Sequence, residues 1–314
     1  MLEEVLKSYS KINWVLEILS LRQDKYHNIS SIFDILPFYD LIKIKLVEDD
    51  SWHVKISSNL DELEKKNIIY NLFDILQSFN GIPKYFVDIN LQKNIPLGGG
   101  LGGGSSNAAS ILFFLYSKKI INLSAAIKLA KDLGSDVLPI FLSYLYPNNY
   151  IVCIEKQNVC LPVSLKIDLM KYFRFFIIVF PIKVETYLAY KEYDKIIRNK
   201  SFSIGPNMLR FFYYLKNNKN LWIEYFPCLV YNDFEKVVFY NYPLISNVRN
   251  EILENFKDAK VFLCGSGASL LVFFRKTNFI KNPCQEDFLQ KDFYAELNKK
   301  YNIWIYSLGR EKKY

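Results

Sequence analysis

Between residues 98 and 104 the chain carries six glycines, Gly98, Gly99, Gly100, Gly102, Gly103 and Gly104, broken only by Leu101 and followed by Ser105, Ser106 and Asn107. Residues without a Cβ leave their N–H groups open to close approach, and amides at a helix start attract anions. The helix-end dipole adds about 0.3–2 kcal/mol for a bound anion. Gripping phosphate is the chemistry this arrangement suits. A tight turn is the plainer use of such a string, but six glycines between a strand and a helix favour phosphate.

Three nucleotide motifs compete for the string. A Walker A loop needs lysine after its last glycine; Gly99 and Gly104 have the separation, but Ser105 follows. Gly98, Gly100 and Gly103 match the dinucleotide fingerprint in form, yet no acidic residue lies about 20 positions on, and Asp132 comes too late. A protein-kinase reading lacks both the His-Arg-Asp and Asp-Phe-Gly triplets.

The elements that must hold this loop are readable from periodicity. Ile12, Trp14, Leu16 and Ile18 alternate with Lys11, Asn13 and Glu17, the pattern of a half-buried strand with Lys11 and Asn13 on one face. A turn at 22–27 leads to a strand with Ile42, Ile44 and Leu46 on one side. Leu72, Ile75, Leu76 and Phe79 recur at helical spacing within 61–79, and Pro83 stops that helix. Val87, Ile89 and Leu91 form a strand feeding Pro96 and the glycines, and a helix follows at about 105–118. Ser124 is the expected cap of a further helix ending at Gly134. Beyond 156 come a strand at 175–180, an aromatic, Asn-rich middle, a helix at 245–256, a hairpin at Gly265-Ser266-Gly267, a helix at 286–300 and a strand at 303–307. This order indicates an α+β protein.

The 314 residues suffice for two domains, expected at 1–156 and 157–314. Hydrophobic residues at 51%, aromatics at 17% and charged residues at 23% exclude a disordered chain. The net charge of +8 comes from scattered lysines, so no nucleic-acid partner is expected. Cys153, Cys160, Cys228, Cys264 and Cys284 contain no Cys-x-x-Cys pair, and the only histidines are His27 and His53, so neither a disulfide framework nor zinc is signalled. Glu3 and Glu4 precede any apolar run, and the apolar stretch 261–274 is broken by Gly265 and Gly267, so neither a signal peptide nor a membrane span is expected. The default compartment is the cytoplasm.

The string Pro96 to Ser106 resembles the phosphate loop of the galactokinase, homoserine kinase, mevalonate kinase and phosphomevalonate kinase superfamily. Its Gly-Leu-Gly-Gly-Gly-Ser-Ser form is similar to that of the 4-diphosphocytidyl-2-C-methyl-D-erythritol kinase family. Four further segments fall in that family's order: Ser10-Lys11-Ile12-Asn13 with Arg22 and Tyr26-His27, Asn67-Ile68-Ile69, Leu133-Gly134-Ser135-Asp136-Val137, and Gly265-Ser266-Gly267-Ala268. The likeness covers most of the chain and is dense up to about residue 142. It implies an N-terminal ribosomal-protein-S5-like domain, a C-terminal ferredoxin-like domain, and ATP-dependent phosphorylation of the 2-hydroxyl of 4-diphosphocytidyl-2-C-methyl-D-erythritol. Expected partners are ATP, Mg2+ and that small molecule, with the chain acting as a monomer or weak homodimer.

By the same resemblance Lys11 acts with Asp136 at the acceptor hydroxyl, Asp136 as general base, a role worth about 10²–10⁴ in rate. On the residues alone, Lys11 reads first as a solvated strand edge, and Asp136 serves equally well as a helix N-cap. The loop from Pro96 through Gly98, Gly99, Gly100, Leu101, Gly102, Gly103 and Gly104 would hold ATP with Ser105, Ser106 and Asn67, although asparagine at a helix start also serves as a cap. Ser105 or Ser106 would touch Mg2+. The family holds a cytosine between aromatic rings beside a histidine, which makes Tyr26, His27 and Tyr190 the specificity candidates. Asn13, Thr186, Gly265, Ser266 and Gly267 complete the expected substrate site.

Three departures from the family pattern stand out: Asn107 replaces the usual Asp, Leu138 is inserted between Val137 and Pro139, and 145–150 replaces a glycine-rich segment. A mevalonate-route kinase is the alternative enzyme, opposed by Tyr26-His27 and the triple glycine. A silent nucleotide-binding relative is the third reading, opposed by Lys11 and Asp136.

Overall fold

The structure is a computed structural model that describes residues 1–155, 159–164, 167–196, 204–217, 219–276 and 291–308. Cys284 and the 286–290 part of an expected helix lie outside them. The chain divides into two compact units, neither of them continuous in sequence. One comprises Met1–Lys11, Phe33–Leu97 and Gly102–Ser164, and the other Ile12–Ile32, Gly98–Leu101 and Leu165–Tyr314.

In the first unit, strands β1 (Leu2–Leu21), β2 (His27–Asp49), β3 (His53–Ser58) and β4 (Lys84–Gln92) lie in the order β3-β4-β2-β1. The hairpin of β5 (Asn149–Glu155) and β6 (Val159–Ser164) adds to β2 through β5. β2 and β4 pair antiparallel with Ile42 opposite Leu91 and Ile44 opposite Ile89. The helices Ile68–Gln77, Gly103–Ser117, Leu123–Leu133 and Val137–Leu145 pack together, and their apolar side chains, among them Leu72, Phe73, Ile111 and Phe141, join those of the strands in one core.

β1 and β2 are long enough that each contributes residues to both units. The half-buried strand expected around Lys11 is instead buried throughout residues 10–19, Lys11 and Asn13 included. Alternation survives only toward its start, because both faces are covered further on.

Helix ends follow local chemistry. Asn122, not the expected Ser124, caps Leu123–Leu133: its side chain accepts from the Ala125 amide at 2.9 Å. Either residue type suits the cap, and Asn122 is the one in extended conformation just ahead of the helix. The inserted Leu138 leaves Pro139 third in Val137–Leu145, where an N–H has no partner in the helix, so proline costs nothing there. The altered 145–150 segment is a short link from that helix into β5.

The second unit has a four-stranded antiparallel sheet in the order β11-β7-β10-β9, with β7 at Phe173–Val179, β9 at Lys260–Leu263, β10 at Ser269–Arg275 and β11 at Trp304–Ser307. The short strand β8 (Tyr231–Asn232) pairs in parallel with Val15 and Leu16. The expected hairpin is present: β9 and β10 pair through Leu263 and Leu270 around the Gly265–Gly267 turn. The aromatic middle folds into helices Pro206–Asn217 and Lys219–Leu229, whose Phe211, Trp222 and Phe226 pack edge and face together, Phe226 also meeting Trp14. No helix among the described residues is long and apolar enough to cross a membrane.

Candidate active site

β4 ends at Gln92, and the chain passes through Lys93 to Leu97 into the glycines before the helix Gly103–Ser117 begins. Gly102 stands at that helix's N-cap with φ +66° and ψ +23°, a left-handed conformation that costs glycine nothing. Its carbonyl accepts from Ser106 N at 2.8 Å, which closes the first turn. A Cβ on Gly102 would stand 2.6 Å from Cγ of Lys11, so the lysine stem lies directly against the loop.

That contact aims Lys11. Its ammonium lies 3.6 Å from Oδ2 of Asp136 and 5.3 Å from the centre of the Phe33 ring. The lysine side chain is 7% exposed and the aspartate 26%, so the acid is the solvent-facing partner. Asp136 occupies the N-cap position of Val137–Leu145 but makes no capping hydrogen bond, in contrast to the plainer use of such a residue. A cation, a partly exposed carboxylate and a helix N-terminus thus stand together within the first unit.

Ser105 is half-buried, while Ser106 is fully buried and its hydroxyl has no hydrogen-bond partner among the described residues. Among them no group of three or more His, Cys, Asp or Glu side chains could enclose a metal. Asn67 caps Ile68–Gln77: its Oδ1 accepts from Ile69 N at 3.2 Å and its Nδ2 donates to the Leu63 carbonyl at 3.2 Å. Ile68, next in the chain, lies against Gly104.

The other glycines belong to the second unit. Gly100, at φ +74°, is pressed onto the β9–β10 turn so closely that a Cβ would stand 2.1 Å from the Cys264 carbonyl oxygen and 2.8 Å from that of Gly267. Gly99 and Leu101 are buried, Pro96 is half-buried and Gly98 is exposed. The turn is held from below by Asn232, whose Nδ2 donates to the carbonyls of Leu263 at 2.9 Å and Gly265 at 2.7 Å. Ser266 Oγ and Thr186 Oγ1, singled out separately in the sequence, are 2.7 Å apart.

His27 and Tyr190 also meet. Their rings stack at 4.7 Å with planes 10° apart, and Tyr190 is edge-on to Phe234 at 4.8 Å. Nε2 of His27 is 2.8 Å from Oδ1 of Asp194, a residue the sequence reading passed over. The available signal was its position four residues after Tyr190 on one helix face. Tyr26 is 55% exposed in the turn between β1 and β2. Asn13 is buried and donates to Ser31 Oγ at 2.8 Å.

Comparison with known proteins follows the same lines. The family model of the GHMP kinases N terminal domain matches residues 67–143, which include the glycine loop and Asp136. The 4-diphosphocytidyl-2-C-methyl-D-erythritol kinase of Thermosipho melanesiensis is 33% identical over 88% of this chain and 92% of its own length. That of Francisella philomiragia is 30% identical over 87% and 88%. Among solved structures, a 4-(cytidine 5'-diphospho)-2C-methyl-D-erythritol kinase superposes with a TM-score of 0.66 at 21% identity, over 99% of this chain and 100% of the other. A mevalonate kinase does so at 0.54 and 17%, over 97% and 98%. A GHMP-kinase fold of mixed α and β structure with two sheets, and relatives of one name aligned along nearly the whole length, lead to one conclusion: the chain belongs to the 4-diphosphocytidyl-2-C-methyl-D-erythritol kinase family.

Proposed function

We propose that this kinase transfers the terminal phosphoryl group of ATP to the 2-hydroxyl of 4-diphosphocytidyl-2-C-methyl-D-erythritol. The observation that carries the reading is the Lys11–Asp136 pair set against Gly102 at the start of the glycine-loop helix. Phosphoryl transfer asks for positioning and charge stabilisation more than for covalent work by the protein. Asp136, an acceptor-only carboxylate with part of its surface open, takes the proton from the hydroxyl as its oxygen attacks phosphorus. Lys11, 3.6 Å from that carboxylate, orients it, and its positive charge offsets the charge gathering on the transferring group. The amides of Gly102, Gly103 and Gly104, residues with no side chain of their own, bind phosphate oxygens at the positive end of the helix.

Mg2+, when bound with ATP, neutralises phosphate charge, and the Ser106 hydroxyl, without a partner among the described residues, supports that residue as its protein contact over Ser105. Asn67, engaged as a cap, would meet the nucleotide through its backbone and the neighbouring Ile68.

For the acceptor, no third ring fits between His27 and Tyr190 at their 4.7 Å separation, so a cytosine would stack outside the pair, with the exposed Tyr26 available to cover it. Asp194 fixes the histidine ring by its bond to Nε2, and Thr186, Ser266 and the Gly265–Gly267 turn supply polar groups for the diphosphate. The strand order β11-β7-β10-β9 supports a ferredoxin-like second domain. Purified protein given Mg·ATP and a panel of diphosphocytidyl and mevalonate-type alcohols tests the assignment. ADP release with the diphosphocytidyl alcohol alone supports it, and release only with another alcohol, or with none, overturns it.

A further inference from the structure

Asp40, on β2, is fully buried, and its two oxygens accept four hydrogen bonds. Oδ1 takes the backbone amides of Asn94 and Ile95, each at 2.7 Å. Oδ2 takes Nδ2 of Asn107 at 2.9 Å and the ammonium of Lys93. Asn94 and Ile95 immediately precede Pro96 and the glycines, whereas Asn107 lies in the second turn of the helix that leaves them. One carboxylate therefore joins the two stems of the loop. Lys93 strengthens the tie: its Nζ stands 2.5 Å from where a Cβ on Gly103 would be, so the ammonium is wedged against the first residue of the helix.

The charges are matched one to one. Lys93 and Asp40 are buried together, with side chains 2% and 0% exposed, and the remaining acceptor site on Oδ2 is filled by a neutral amide. The other hydrogen of that amide goes to Ser8 Oγ at 2.9 Å. Position 107 therefore carries a neutral side chain beside a buried carboxylate. A carboxylate there would face Oδ2 of Asp40 with no proton to share, and two buried like charges at that distance repel strongly.

We propose that Asp40 is a positioning residue for the glycine loop, and that the loop needs one negative charge shared between positions 40 and 107 beside Lys93. The inference rests on the kinase reading for its link to ATP, but the clamp itself can be read without nucleotide. Asp40 touches no reacting atom; it acts through the backbone of 94–95 and the helix bearing Asn107.

The experiment compares Asp40→Asn, Asn107→Asp and the double exchange Asp40→Asn with Asn107→Asp in the full chain. Three readouts are used: hydrogen exchange over 94–107, binding of a non-hydrolysable ATP analogue with Mg2+, and the separate KM and kcat values for ATP and acceptor. Each single exchange should speed exchange over 94–107 and raise KM for ATP by at least about tenfold, with KM for the acceptor little changed. The double exchange, with one carboxylate again beside Lys93, should recover most of both losses.

Single variants that melt earlier yet keep wild-type exchange in the loop and wild-type affinity for the analogue would reduce Asp40 to a structural role and overturn the proposal. So would a double exchange no better than the singles. If the singles do not fold, a folded double variant that binds the analogue supports the shared charge, and an unfolded one refutes it. Failure of the wild-type chain itself to bind the analogue would remove the kinase reading while leaving the exchange data to decide the clamp.

Discussion

Gly102→Ala separates the two demands the structure places on one residue. At φ +66° an alanine carries the left-handed penalty of about 1–2 kcal/mol. Its Cβ would also stand 2.6 Å from Lys11 Cγ, where unstrained carbons need roughly 3.5 Å, so the lysine stem must retreat by about 1 Å. A stem is flexible, and this retreat costs little stability. It does move an ammonium set 3.6 Å from Asp136, and an error of about 1 Å at a reacting group lowers rates by about a hundredfold. The expected outcome is a melting temperature lower by roughly 2–8 °C with kcat reduced about 10–100-fold. ADP release at saturating ATP and acceptor, with a thermal melt of the same preparation, measures both. Gly81→Ala is the control: φ is +76° and no atom lies within 4 Å of the new Cβ, so it should show the melting shift alone. If Gly102→Ala melts early but turns over at the control's rate, Lys11 is not aimed by this contact and the reasoning fails.

Asp136→Asn should keep the fold and ATP binding while cutting turnover by at least about a hundredfold, because an amide cannot take the proton. Near wild-type turnover would remove it as the base. Tyr190→Ala should raise KM for the cytidine-bearing acceptor by about 5–150-fold, the equivalent of 1–3 kcal/mol of lost stacking, with KM for ATP unchanged and Tyr190→Phe close to wild type. Equal rises for both substrates would argue against a base-stacking role. Gly205→Ala should destabilise by at least about 3 kcal/mol in denaturant unfolding, since its Cβ would land 1.8 Å from Oε2 of the buried Glu17. That carboxylate accepts from the amides of Asn207 at 3.0 Å and Met208 at 3.1 Å and so holds the start of the helix Pro206–Asn217, and an unchanged midpoint would mean the cap is not needed.

The local pieces were legible because their causes are local. Glycines between a strand and a helix, the alternation along β4, and the Gly265–Gly267 hairpin each follow from residues within a few positions of one another. Errors arose where two nearby residues offered the same chemistry, as with Asn122 and Ser124, or where another element covered a face, as along residues 10–19 of β1. Alternation reports one buried face and is silent once both are covered.

For the site, residue types and order together with the family likeness were enough to single out Lys11, Asp136, His27 and Tyr190 as candidates, because the chemistry restricts which side chains serve and the likeness gives their sequence positions. Distances between them were beyond reach. Asp40 is a lone carboxylate in an apolar stretch, and nothing near it in sequence tells that it ties residues 94–95 to residue 107. The bond from His27 to Asp194 and the seat of Glu17 against Gly205 likewise join positions more than 160 residues apart. A single chain specifies which groups are available. Only the packing of its strands and helices brings a buried charge to its partner, because burial is a property of what surrounds a residue and not of what adjoins it along the backbone.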